Sequence, residues 1–263
     1  MLSNIFFFIP FMYRFHTRKS GRFTVIPFLL TDFLPPLVFL SNAETICTFS
    51  ILIIYLLSYL AMFSCYELGY IVNDSITILH EKNPTLRLND TELAYFYRNG
   101  VLIVGFRLFL VLLCCIILRY ELLVSVEKLL FGCLFVLVAY CINNYYRNTF
   151  RFIANFFLNI AKYFVPISLL LHNENYALCI TLFFAFPFGR FLFFCLKHSV
   201  KIKETFLDYI QILFYFILNV IFLVLYKNKL LNITITIFCF FFLTYRVAIF
   251  LAKKIYKQSK KEE

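Results

Sequence analysis

The apolar stretch over residues 46–72, ICTFSILIIYLLSYLAMFSCYELGYIV, decides the fold class of this chain. Glu67 is the only charged residue within it. The run is long enough to cross the hydrocarbon layer of a membrane as a helix, which requires about 20 residues. Similar runs recur along the sequence, and they predict helices that span a lipid bilayer.

The composition supports this interpretation. Of 263 residues, 62% are apolar and 15% are charged, and the chain has 37 Phe and 18 Tyr. Soluble domains carry about 25% charged residues, and disordered chains combine low hydrophobicity with high charge. The composition therefore excludes both classes and predicts an integral membrane protein.

We predict an all-α bundle of about eight (8–9) transmembrane helices, forming a single domain over residues 1–263. Short polar connections separate the apolar runs. The predicted spans are residues 23–40, 46–72, 99–118, 122–142, 152–171, 176–196, 207–226 and 231–251.

The charge distribution predicts the orientation. Lys and Arg total 25 against 14 Asp and Glu, and the cations concentrate in alternate connections. Cytoplasmic loops of membrane proteins collect Lys and Arg. We therefore predict a multi-pass protein of the cytoplasmic (inner) membrane with both termini cytoplasmic. The predicted cytoplasmic segments are an interfacial stretch over 1–22, a loop over 73–98 and a basic tail over 252–263. This topology accounts for the net charge of +11. We therefore predict membrane lipid as a partner and no nucleic acid.

Acidic residues cluster at the predicted cytoplasmic end of the second span. Glu67, Asp74 and Glu81 are seven residues apart, so on a continuous helix they share one face with Tyr70 and Thr77. Carboxylates within or beside spans are costly and mark functional sites. Asp74 and Glu81 would lie roughly 10 Å apart on a helix, a spacing that suits two Mg²⁺ ions bridged by a phosphate-bearing ligand. The alternative is a polar, solvated helix cap.

The pattern Asn73-Asp74-x-x-Thr77-x-x-x-Glu81, followed by KNPTLR over residues 82–87, resembles a known motif. It is similar to the first aspartate-rich motif of the UbiA superfamily of membrane prenyltransferases, Asn-Asp-x-x-Asp-x-x-x-Asp. Asn73 and Asp74 match that motif, Glu81 is a conservative replacement and Thr77 departs from it. The resemblance is specific only over residues 66–87.

The resemblance implies a UbiA-like bundle that transfers a group from a diphosphate donor at the cytoplasmic face, with Mg²⁺ as cofactor and an isoprenoid lipid as substrate. The donor would be an isoprenyl diphosphate. Alternatively, phosphoribosyl diphosphate would donate to a polyprenyl phosphate for cell-surface polysaccharide synthesis. By this resemblance Asn73, Asp74 and Glu81 are catalytic, Asp74 and Glu81 bind metal, and Tyr70, Lys82 and Arg87 bind the diphosphate.

Two further segments resemble parts of the family more weakly. Glu204 and Asp208 keep the four-residue spacing of the second motif, which implies additional metal ligands, with Lys201 binding substrate. Arg147 and Arg151 follow the fourth span, where the family has a tyrosine-rich, basic segment that contacts diphosphate. Chance acidic pairing and ordinary cytoplasmic charge are the alternatives for these two segments.

A non-catalytic protein, either a transporter or a lipid-carrier binding protein, is the alternative from another class. Transporters place charges near the middle of spans. Apart from Arg107, Lys162 and Arg190, charged residues are few near the middle of the later spans. Lys162 has two interpretations, as a phosphate ligand or as a side chain that extends to the membrane surface. The scarcity of such charges favours an enzyme.

Overall fold

The structure, a computed structural model, describes residues 2–18, 25–43, 49–80, 85–146, 150–171, 176–198, 204–229 and 233–262. Within these ranges every regular element is helical and there is no strand. The all-α prediction is confirmed.

The α-helices are short at the start of the chain, and the longest described helix is the last one, with 30 residues. In chain order they are α1 (Met12–Thr17), α2 (Val25–Phe28), α3 (Leu34–Ala43), α4 (Phe49–Ser75), α5 (Asp90–Ile116), α6 (Glu127–Tyr145), α7 (Phe150–Phe164), α8 (Tyr176–Phe183), α9 (Gly189–His198), α10 (Glu204–Lys227) and α11 (Ile233–Glu262). Single 3₁₀ segments cover Leu2–Phe7 and Thr77–His80, and π-helical turns cover Leu29–Phe33, Ile117–Glu121 and Phe184–Phe188.

In the described part of the chain, six helical segments are long and apolar enough to cross a membrane. They are Phe49–Ser75, Asp90–Glu121, Glu127–Tyr145, Cys179–Lys197, Phe206–Lys227 and Ile235–Ile255. Each overlaps a predicted span, so a multi-pass membrane protein is supported. A shorter apolar helix, Val25–Leu40, covers most of the first predicted span. The total of eight spans stays a prediction.

The predicted span over 152–171 differs most from the structure. Its helix, α7, ends at Phe164, and turns follow over residues 165–170. Proline disfavours the helical conformation of the residue before it, and Val165 precedes Pro166. Because α7 also carries Asn155, Asn159 and Lys162, it is less apolar than the six long segments.

The chain divides into two compact units. Unit 1 contains Met1–Leu37 and Ile46–Leu171, and unit 2 contains Val38–Thr45 and His172–Glu263. In unit 1, α4 packs against both α5 and α6, and α6 packs against α7. In unit 2, α10 packs along α11, and α9 contacts α10.

The N-terminal segment forms part of the core of unit 1. Phe6, Phe7 and Tyr13 are buried in a cluster that also contains Ile71 of α4 and Ile103 of α5. Burial of an aromatic side chain of this kind contributes roughly 1.5–3 kcal/mol. The segment before α2 is therefore fixed against the last turns of α4 and the middle of α5.

The α4 helix ends earlier than the sequence pattern predicts. It stops at Ser75, and a 3₁₀ turn over Thr77–His80 follows. The hydroxyl of Ser75 donates to the carbonyl oxygen of Ile71, at 2.6 Å, and side chains of this type compete with helix propagation. A single helical face from Glu67 to Glu81 was therefore a wrong prediction, and Thr77 does not lie on α4.

A polar pocket beside Asp74

Asp74 lies at the end of α4 with its carboxylate fully buried and surrounded by donors. Oδ1 accepts from Arg87 Nη1 at 2.8 Å and from Asn73 Nδ2 at 2.9 Å. Oδ2 accepts from the Tyr13 hydroxyl at 3.2 Å and from Arg18 Nη2 at 3.4 Å. Two arginines against one carboxylate leave this cluster with a net positive charge.

Tyr13 donates to Asp74 as a neutral phenol. Burial, followed by the charge of the neighbouring Asp74 carboxylate, raises the pKa of Tyr13 far above its ordinary value. The hydroxyl therefore keeps its proton over the whole physiological range. It remains a hydrogen-bond donor to Asp74 wherever the carboxylate is ionised.

A buried ion pair holds the N-terminal segment in place. Glu67 and Arg107 are both fully buried, with 2.7 Å between Oε2 and Nη1. Glu67 also accepts from the backbone N–H groups of Phe11 and Arg14, each at 2.8 Å. Arg107 donates to the carbonyl oxygen of Phe7 at 2.9 Å. The pair thus satisfies backbone groups of the segment that carries Tyr13 and Arg18.

A second buried acid anchors the same segment to α7. Asp32 Oδ2 lies 2.7 Å from Arg14 Nη1 and 2.6 Å from Lys162 Nζ. Lys162 is almost completely buried, so its side chain does not extend to the membrane surface. The Tyr163 hydroxyl donates to the carbonyl oxygen of Thr31 at 2.7 Å. These contacts join the N-terminal segment, the π-helical turn after α2 and α7.

A polar pocket of about 290 Å³ opens next to the Asp74 cluster. Arg18 and Arg87 supply its positive charge, and the Arg18 guanidinium stacks on the Tyr70 ring, 3.9 Å from its centroid. The remaining polar lining consists of Tyr66, Tyr70 and Asn73 of α4, Tyr140, Asn143 and Asn144 of α6, Asn155 of α7, and Thr85. The pocket combines two cations with amide and phenol groups, which suits an anionic, hydrogen-bonding ligand.

Two buried polar atoms of this lining have no hydrogen-bond partner within the described residues. They are Nε of Arg18, a donor, and Oδ1 of Asn143, an acceptor. Buried polar groups are nearly always paired in native proteins. A ligand that accepts from Arg18 and donates to Asn143 would complete both.

An apolar crevice of about 830 Å³ adjoins this pocket. Leu68, Val72 and Leu137 lie in its wall, and Tyr140 and Asn144 line both cavities. Between the helices, Asn144 Nδ2 donates to the carbonyl oxygen of Gly69 at 3.2 Å. The polar pocket and the apolar crevice are therefore neighbours on the two sides of Tyr140 and Asn144.

The structure brings together four of the residues that the sequence analysis selected. Tyr70, Asn73 and Arg87 line the polar pocket, and Asp74 pairs with Arg87 behind it. Arg151 lies in α7 and Glu204 begins α10. Asp208 belongs to unit 2, where both carboxylate oxygens contact Lys253 Nζ, at 2.9 and 3.0 Å. The residues Glu81, Lys82, Arg147 and Lys201 lie outside the described residues.

Sequence reasoning missed the N-terminal residues of the site. Within the stretch over residues 1–22, which the sequence predicts to be interfacial, Arg14 pairs with Asp32 and Arg18 with Asp74. Lys19 and Arg22 lie outside the described residues. The sequence did contain a signal for buried ion pairs. Glu67 and Arg107 are single charges within apolar runs, and an isolated charge in such a run requires a partner.

Comparison of the chain with protein-family models, with curated proteins and with solved structures finds no match.

Proposed function

We propose that this protein is a membrane transferase that moves a group from a diphosphate donor, with an isoprenoid lipid as substrate, in the manner of the UbiA superfamily. One observation carries the proposal: a cationic pocket beside Asp74 shares the wall formed by Tyr140 and Asn144 with an apolar crevice. An isoprenyl diphosphate has the matching shape, with a charged head and an apolar chain. We place the reaction at the cytoplasmic face, where the sequence predicts residues 73–98.

Arg18 and Arg87 would bind the diphosphate. Each has a guanidinium hydrogen bond to Asp74, which orients it, and each lines the pocket. Guanidinium groups form short, charge-assisted hydrogen bonds with phosphate oxygens. Charge that develops on a departing diphosphate would be neutralised by groups already in position.

Asp74 and Asn73 fit a Mg²⁺ ion only when phosphate oxygens share its coordination. The contacts of Asp74 Oδ2 are the longer ones, 3.2 Å to Tyr13 and 3.4 Å to Arg18, so this oxygen is the one available for exchange. Over the described ranges, no three His, Cys, Asp or Glu side chains converge. Mg²⁺ commonly binds through one or two carboxylates plus substrate phosphates. When bound, the ion would neutralise charge on the leaving diphosphate.

The polar lining favours phosphoribosyl diphosphate as a second candidate donor. The pocket presents the amides of Asn73, Asn143, Asn144 and Asn155. Asn143 Oδ1 is a buried acceptor without a partner among the described residues, and a ribose hydroxyl can donate to it. In this alternative the apolar crevice would hold the chain of a polyprenyl phosphate acceptor.

The test measures Mg²⁺-dependent diphosphate release by the purified protein. One reaction contains farnesyl diphosphate with a membrane lipid extract, and the other contains phosphoribosyl diphosphate with polyprenyl phosphate. We expect release with one donor. We expect Arg87→Gln to weaken binding of that donor about tenfold or more, because a hydrogen bond to a charged group contributes roughly 1.5–3 kcal/mol. Asp74→Asn should lower the rate at saturating donor, since it removes the charge that orients both arginines.

Arg98→Gln is the matched control, because Arg98 lies in α5 with an exposed side chain outside the pocket lining. It should bind the donor as the wild type does. The folded protein could bind farnesyl diphosphate or polyprenyl phosphate and yet release no diphosphate with either donor. That result would refute the enzyme and favour a lipid-carrier binding protein. Equal effects of Arg87→Gln and Arg98→Gln on donor affinity would refute the assignment of the pocket.

A further inference from the structure

Unit 2 contains a separate charged cavity that the proposed function does not use. It measures about 320 Å³ and lies between α9, α10 and α11. Its charged and polar lining consists of Lys197 of α9, Asp208 and Gln211 of α10, and Arg246 and Lys253 of α11. Three cations and one carboxylate give this lining a net positive charge.

Arg246 is the cation of this lining whose contacts leave a donor unsatisfied. Its Nη1 donates to the amide oxygen of Gln211 at 3.1 Å. Its guanidinium also lies over the ring of Phe242, 5.3 Å from the centroid. Its Nε is buried and has no hydrogen-bond partner among the described residues. Across those residues no carboxylate pairs with Arg246.

The carboxylate in the cavity does not neutralise Arg246. Both oxygens of Asp208 contact Lys253 Nζ, so the charge of Asp208 is balanced by that lysine. A guanidinium with a buried N–H and no counter-ion is costly. An anion in the cavity would accept from Arg246 Nε and supply the missing charge.

The cavity extends inward from the ends of three candidate spans. Lys197 is the last residue of one candidate span, and Asp208 lies near the start of the next. Lys253 lies near the end of the last candidate span, two turns beyond Arg246. The apolar residues Phe193, Phe194, Leu207 and Ile249 complete the lining. The lining therefore begins with Lys197 and Lys253, where candidate spans end, and reaches Arg246 two turns deeper in the last candidate span.

We propose that this cavity is a binding site for a terminal phosphate group, with Arg246 as its principal ligand. The phosphate belongs either to a lipid headgroup or to a free phosphate. The site is independent of the transfer reaction proposed for unit 1, and its test does not require turnover. A metal site at Asp208 would respond in the opposite way to the loss of this carboxylate. Removing the negative charge of Asp208 strengthens the binding of an anion and weakens the binding of a cation.

The test is native mass spectrometry of the full-length protein in neutral detergent, titrated with dioctanoyl phosphatidic acid. Arg246→Gln should weaken binding at least tenfold. Lys254→Gln, which removes an exposed cation next to Lys253 and outside the cavity, should leave binding within twofold of the wild type. Asp208→Asn should strengthen binding severalfold, and this variant tests the site independently of how Arg246→Gln folds.

The source of the phosphate is decided by two further probes, inorganic phosphate and dioctanoyl phosphatidylcholine. Competition by inorganic phosphate at an affinity equal to that of phosphatidic acid identifies a free phosphate. Much weaker competition, with phosphatidylcholine inactive, identifies a lipid headgroup. Equal binding of phosphatidylcholine and phosphatidic acid, unchanged binding in Arg246→Gln, or weaker binding in Asp208→Asn would each overturn the proposal.

Discussion

The Glu67–Arg107 pair allows a quantitative prediction, because both side chains are fully buried and every contact of the carboxylate is defined. In Glu67→Gln the side chain keeps its size but loses its charge, and one oxygen becomes an NH₂ group. That group would face either the Arg14 N–H or the Phe11 N–H and Arg107, which are all donors. The variant therefore loses hydrogen bonds and leaves Arg107 buried without a counter-ion.

Breaking a buried pair by removing one partner costs about 3–5 kcal/mol. Because roughly 1.36 kcal/mol corresponds to a tenfold change, local opening of the N-terminal segment should become about 10²–10⁴ times more frequent. The Phe11 and Arg14 amides donate directly to Glu67, so their exchange protection reports the effect. We would measure amide hydrogen exchange over residues 9–16 by mass spectrometry in detergent micelles.

Glu127→Gln is the control for this experiment, since Glu127 is the exposed first residue of α6, away from the N-terminal segment in sequence. It should leave exchange over residues 9–16 unchanged. Combining Glu67→Gln with Arg107→Met removes both charges and should recover part of the protection. The recovery is partial because Arg107 also binds the carbonyl oxygens of Phe7 and Ile9. Protection in Glu67→Gln within about threefold of the wild type would refute the anchoring role.

Two other changes test the packing around the site. Gly69→Ala places a Cβ atom against the Tyr140 ring, so we expect the free energy of unfolding, measured by thermal unfolding, to fall by about 1–3 kcal/mol. Gly105→Ala, where a Cβ meets nothing within 4 Å, should be neutral or stabilising. Equal stability of the two variants would contradict the close contact. Asp32→Asn leaves Lys162 facing a neutral amide, so we expect the protein to be destabilised by about 3–5 kcal/mol. Adding Lys162→Met should partly restore the stability. An unchanged midpoint of thermal unfolding would show that the buried pair is not required.

The sequence predicted the helical membrane architecture because that property depends on local composition. Each long apolar run needs only its own residues to favour a spanning helix, and all six long apolar helices coincide with predicted spans. The end of α4 was not predicted, because the seven-residue spacing of Glu67, Asp74 and Glu81 fits a longer helix equally well. The bond from the Ser75 hydroxyl to the Ile71 carbonyl oxygen, at the end of α4, becomes visible only in the structure.

The site was predicted in part for a related reason. Asn73, Asp74, Tyr70 and Arg87 are close in sequence, and a local motif selects them together. The other contributors come from distant segments: Tyr13 is 61 residues from Asp74, and Arg107 is 40 residues from Glu67. Cationic residues near the N-terminus are expected from topology alone, so their number does not reveal that two of them pair with buried acids.

These long-range pairs connect the stability of the N-terminal segment to the chemistry of the pocket. Arg18 reaches the pocket from a segment held by Glu67 and Asp32, and neither acid lines the pocket itself. Asp74 balances one of the two pocket arginines, so the positive charge available to a phosphate depends on Arg18 staying in place. The buried pairs therefore fix the N-terminal segment. The pocket arginine whose charge Asp74 does not balance then supplies the positive charge that suits the pocket to a phosphate.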